Sequence, residues 1–175
     1  MKRILFYSLI LFQVITVSIV VIQYNLIDTY GKTATFIVHH YDEEDEYYYE
    51  ENIQDFETYM FELEINNIPK DKWEGKKEVQ YNDRVHVLLE ENKNGVYEVV
   101  KATDKELTAT KENQLVLIGK EIYENDDKMY HVSYDFETIN VTTHQNLIKD
   151  LKIREMKKVS YKFAPWNQSK LINIE

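Results

Sequence analysis

The stretch that most constrains this chain is ILFYSLILFQVITVSIVVI, residues 4–22. Nineteen helical residues rise about 28 Å, close to the roughly 30 Å hydrocarbon core of a bilayer. Fourteen of the nineteen are Ile, Leu, Val or Phe, worth roughly −4 to −8 kcal/mol of insertion free energy near the bilayer centre. Tyr7, Ser8, Gln13, Thr16 and Ser18 offset part of that, but none is charged. The run has no polar face of the kind a surface helix of a soluble domain carries. Insertion wins. A cleaved signal peptide shares the basic start and apolar middle, and cleavage wants small residues in an A-x-A-like pattern. QYNLIDTYGKTAT follows instead, with Ala34 its only alanine, so an uncleaved anchor is expected. Lys2 and Arg3 ahead of it place the N-terminus in the cytoplasm by the positive-inside bias. The expected layout is a cytoplasmic start at residues 1–3, an anchor at 4–22, a juxtamembrane segment at 23–32 and an extracytoplasmic domain at 33–175.

Beyond residue 32 the dominant period is two. TATFIVHHY, residues 33–41, is β-branched and aromatic and reads as a first strand. ETYMFELEIN alternates, with Phe61, Leu63 and Ile65 on one face and Glu62, Glu64 and Asn66 on the other. RVHVLLEENKNGVYEVVKA puts Val85, Val87 and Leu89 on one face and turns at Asn94-Gly95, a hairpin signal because such turns need positive φ. QLVLIGKEIY and MYHVSYDFETI flank NDDK as a second hairpin, and the tail reads as two short strands around Pro165-Trp166-Asn167. HQNLIKDLKIREMKK, residues 144–158, breaks the pattern with Leu147, Ile148 and Leu151 at helical spacing. The predicted fold class is mainly β: one membrane helix, then an antiparallel sandwich or partly open barrel with one short amphipathic helix.

The net charge of −10 is uneven. YDEEDEYYYEE, residues 41–51, holds seven carboxylates (Asp42, Glu43, Glu44, Asp45, Glu46, Glu50 and Glu51), without which the balance is −3. An acidic chain with no basic stripe argues against nucleic acid, since phosphate neutralisation needs clustered Lys and Arg. The run has no D-x-D-x-D-G pattern and no glycine to fold ligands around Ca²⁺. It reads as an exposed, self-repelling loop over residues 42–55, able to meet a basic partner surface.

No metal, cofactor or catalytic residue is assigned. The chain has no cysteine, which removes thiolate metal sites and a cysteine nucleophile. His39 and His40 are adjacent in a strand and point to opposite faces, while His86, His131 and His144 lack a second ligand at metal spacing. Ser133, Ser160 and Ser169 sit in no G-x-S-x-G.

Several stretches resemble the GDYXXLXY family of small bacterial membrane-anchored proteins. TYGKTATFIV, YNDRVHVLLEENKNGVYEVV and LVLIGKEIY match its pieces in order, through Gly31, Lys32, Asp83, Arg84, Val85, Gly95, Val96, Tyr97 and Gly119. The nearest counterpart of the naming motif is FETYMFEL, where Glu57 stands for its Asp and Phe61 for its Leu. Phe56, Thr58 and Leu63 replace its Gly and both Tyr, and the acidic stretch is extra. That family is functionally uncharacterised, so the resemblance implies placement and fold without a reaction.

The expected function is a single-pass, extracytoplasmic interaction or accessory module of the bacterial cytoplasmic membrane, touching lipid through its helix and a protein partner through its β domain. A membrane-tethered hydrolase assembled only in the fold is the alternative, as is a secreted ligand-binding β domain if the N-terminus is cleaved.

Overall fold

The computed structural model describes residues 2–38, 58–60, 62–76, 83–124, 129–136, 138–140, 158–166 and 168–175. The acidic run and almost all of the helix expected at residues 144–158 lie outside them; Lys158 itself opens a strand.

The apolar run folds as one helix, α1, Lys2–Tyr30. It continues through most of the segment expected to be juxtamembrane, because no Gly or Pro interrupts residues 23–30. Gly31 ends it. Its N–H donates to the Ile27 carbonyl at 2.8 Å, and a Cβ there would stand 2.5 Å from that same oxygen. Thr16, Ser18 and Asn25 turn their side chains back onto the carbonyls of Phe12, Val14 and Val21 at 2.8–2.9 Å. That satisfies polar groups within the helix, as a hydrocarbon environment demands. Phe6, Leu11, Phe12 and Val17 are largely exposed, whereas Ile27 is fully buried.

Among the described residues ten strands follow, antiparallel throughout their ladders: β1 Lys32–Ile37, β2 Thr58–Met60, β3 Asn67–Ile68, β4 Val85–Glu91, β5 Tyr97–Thr103, β6 Gln114–Glu124, β7 Tyr130–Ser133, β8 Thr138–Asn140, β9 Lys158–Phe163 and β10 Ser169–Ile174. They form sheets in the orders β1-β9-β10, β2-β8 and β3-β7-β6-β4-β5. The mainly β fold behind a single N-terminal apolar helix is the one expected. β1 links the larger sheets. Thr35 makes a parallel bridge to Val96, at the entry to edge strand β5, and Val38 an antiparallel one to Leu63, on the approach to edge strand β3. Both edges of the five-stranded sheet therefore converge on β1, the arrangement of a partly open barrel.

One core fills the interior. Val85, Val87 and Leu89 are fully buried along β4 while His86, Leu88 and Glu90 are half-buried, the alternation of a strand with one covered face. Each buried side chain of this size contributes about 1.5–3 kcal/mol. Phe36 of β1 lies at the aromatic centre, with ring centroids of Phe136 and Phe163 at 5.9 Å, Tyr97 at 6.3 Å and Tyr161 at 6.5 Å. The β4–β5 register shifts between Leu88↔Lys101 and Leu89↔Val99. This bulge leaves Val100 unpaired and exposed while Val99 and Ala102 both point inward.

One local expectation changes. FELEIN is not a strand over its described part: Glu64–Asn66 form a 3₁₀ turn, and Asn66, expected on the polar face, is 1% exposed. Its Oδ1 accepts from the Leu63 N–H at 2.6 Å and its Nδ2 donates to the Val132 carbonyl at 2.8 Å, so a buried amide closes the turn and ties it to β7. Phe61 lies outside the described residues. The β4–β5 turn is a loop closed from Asn92. Its N–H donates to Val96 O at 2.8 Å, the Gly95 N–H to Asn92 O at 3.1 Å, and Asn92 Oδ1 accepts from Asn94 and Val96. Gly95 takes positive φ, at 75°, as a three-residue hairpin loop with a terminal left-handed position requires.

Candidate functional site

The described family-like positions fall into two groups at opposite ends of β4. Val85 and Gly119 are direct cross-strand partners on β4 and β6. Gly119 has no room for a side chain, since a Cβ would stand 2.0 Å from Val132 Cγ1 and 3.1 Å from Ser133 O. Val96 bridges to Thr35, and the Lys32 ammonium lies 5.7 Å from the centre of the Tyr97 ring. Lys32 also donates to the carbonyls of Glu112 and Gln114, while Tyr97 packs on Phe36. Burial, and then the Glu91 carboxylate, push the Tyr97 phenol above its ordinary 10.0. Asp83 and Arg84 lead into β4, and Gly31 joins helix to strand. Val96 and Tyr97 therefore meet β1 through Thr35, Phe36 and Lys32, whereas Val85 and Gly119 sit within the five-stranded sheet. Glu57 and Phe61 fall outside the described residues, as do the seven carboxylates of the acidic run. The chain enters that run from Val38, seven residues beyond Gly31, which at strand rise is about 23 Å along β1 from the helix end.

The candidate chemical groups are spread out. Among the described residues no cluster of three His, Cys, Asp or Glu side chains is placed to hold a metal ion. His131 of β7 faces Asn67 Oδ1 across the β3–β7 pair at 3.4 Å, and His86 lies on β4. The Ser160 hydroxyl meets that of Thr35 across β1 and β9 at 2.8 Å, a ladder contact that ties up the oxygen. Surface ion pairs sit far apart in the chain: Lys101–Glu74 at 2.6 Å, Lys120–Asp135 at 2.9 Å and Lys111–Glu90 at 3.1 Å. The Glu90 carboxyl is held below its ordinary 4.5 by hydrogen bonds from Gln114, at 2.7 Å, and from Lys111.

A further long-range contact lies at the base of α1. Ile27 is buried there, and β9 is the strand that packs against α1. Lys162 of β9 donates to the Asp28 carbonyl at 2.6 Å, and Lys170 of β10 pairs with the Asp28 carboxylate at 2.6 Å. Lys170 also stands 5.5 Å from the Tyr24 ring centre. Two ammonium groups at a helix C-terminus complement the partial negative charge of its free carbonyls. A lone Asp in an otherwise uncharged helical stretch was the one sequence signal for this contact. The arrangement ties the helix end to the domain with Gly31 alone between α1 and β1.

No family model, no curated protein and no solved structure matches this chain.

Proposed function

We propose that this chain is a single-pass protein of the bacterial cytoplasmic membrane, its N-terminus inside, that presents its β domain outside to a protein partner of the cell envelope. The observation that carries the reading is the clamped junction: a helix apolar enough to cross a membrane over Phe6–Tyr30 runs almost without interruption into β1. A domain held this way keeps one orientation toward the bilayer, which suits an accessory module that must meet its partner at a set height and angle. The acidic run follows β1 in the sequence and is the proposed contact for a basic partner surface. Charge of this kind speeds encounter and sets specificity more than it adds affinity. Divergent membership of the GDYXXLXY family belongs to the same proposal. What supports it is that the matched residues include the cross-strand pair Val85–Gly119 and the Lys32–Tyr97 contact between β1 and β5.

Topology is the test. The chain is naturally free of cysteine, so Lys93→Cys at the exposed β4–β5 loop gives one thiol. A membrane-impermeant maleimide should label it on cells whose cytoplasmic membrane is intact. Labelling only after lysis would put the domain inside and end the proposal.

A further inference from the structure

The middle of the membrane helix carries a group that the chain itself does not satisfy. Gln13 is the central residue of the apolar run 4–22, with nine residues on either side, about 13–14 Å of helix each way. Within the same run Thr16 and Ser18 bond to carbonyls one turn back, and Ser8 has a contact of its own. Among the described residues nothing hydrogen-bonds the Gln13 carboxamide, which stands exposed on the helix. At the bilayer midplane no water is present to replace that partner, so the amide has to find one in another helix.

We infer that Gln13 pairs with Gln13 of a second copy of this chain, making the protein a dimer through its membrane helix. This pairing presupposes the spanning reading given above. A carboxamide carries both donor and acceptor, so two of them related by a two-fold axis satisfy each other reciprocally. A one-sided donor or acceptor could not. The face around it is suited to close packing. Leu9, Thr16, Val17 and Val20 lie at i−4, i+3, i+4 and i+7, and Thr16 has already placed its proton on Phe12 O.

The β domain restricts the geometry. Ile27 lies fourteen residues after Gln13, four turns less about 40°, so it is on nearly the same face. That is where Ile27 is buried and the helix meets β9. Two copies in parallel therefore approach in the N-terminal half of the helix and diverge toward the domains, as a strongly crossed pair does.

The experiment is disulfide crosslinking of full-length single-cysteine variants in native membranes, with carbonate resistance measured on the same samples. Leu9→Cys and Thr16→Cys should give a covalent homodimer, and Leu11→Cys and Ile15→Cys, on the opposite face, should not. Adding Gln13→Leu should weaken association by roughly 5- to 30-fold, while Gln13→Asn keeps most of it. Leucine favours insertion, so a loss cannot be ascribed to failed insertion. A membrane-inserted chain that stays monomeric, crosslinks equally on both faces, ignores Gln13→Leu, or crosslinks only to a different protein overturns the dimer and leaves the spanning reading intact. A chain extracted by carbonate overturns both.

Discussion

Asp28, in the last turn of α1, is paired at 2.6 Å with Lys170, which lies 142 residues later on β10. Lys170 is the less exposed of the two, at 28% against 55% for Asp28, so the pair is a surface contact and adds little to overall stability. Its value is directional: together with buried Ile27 it sets where the helix leaves the domain.

Ile27→Ala should therefore loosen the junction without melting the barrel. Removing three carbons from a fully buried isoleucine costs about 2–4 kcal/mol of local packing. Hydrogen exchange in micelles should show faster exchange over residues 27–35, with the β4 amides at 85–89 unchanged. Equal acceleration in both places would mean that helix and barrel unfold as one unit.

Gly119→Ala should destabilise the domain by about 1–3 kcal/mol, because its methyl would collide with Val132. Denaturant melts of the single variants and of Gly119→Ala with Val132→Ala give the coupling. The second substitution removes the clashing Cγ1 and should recover part of the loss, a sign of direct contact. Strictly additive losses would show that the glycine is needed for another reason.

Asn66→Leu keeps the branching and the number of heavy atoms but strands the Leu63 N–H and the Val132 carbonyl. An unsatisfied buried group costs about 1–3 kcal/mol, so the melting temperature should fall clearly despite the gain in hydrophobicity. An unchanged melt would mean that those two groups find other partners.

Glu90 gives the pH dependence. Its folded pKa is depressed below 4.5 by Gln114 and Lys111. A depressed acid stabilises the folded state fully above the unfolded value, and that contribution disappears as pH falls through the lower folded value. Exchange protection in the loop it ties down, Thr110 to Gln114 through Gln114 Oε1, should thus decline below pH 4.5. Glu90→Gln should flatten that step, and a step that persists in the variant would assign it to another carboxylate.

The period-two runs made the antiparallel β domain legible, though not whether its sheets close into a barrel. Val85, Val87 and Leu89 show their inward face in the sequence because β alternation is local, and Asn94-Gly95 marked its turn because one position needed φ > 0. FELEIN could not be read in the same way: its alternation is the same whether the chain extends or coils, and the buried amide that decides the matter finds its partner at Val132. The clamp at Ile27 and Asp28 was hidden for the same reason, since it is made by β9 and β10, more than a hundred residues on. The acidic run, by contrast, is conspicuous in the sequence and lies outside the described residues.

The most direct test of the central claim is recovery of the N-terminal peptide covering residues 4–22 from carbonate-washed membranes by mass spectrometry. The account predicts that this peptide is present, on a chain that stays in the membrane pellet. A soluble chain in the medium whose first residue follows Ala34 would contradict it.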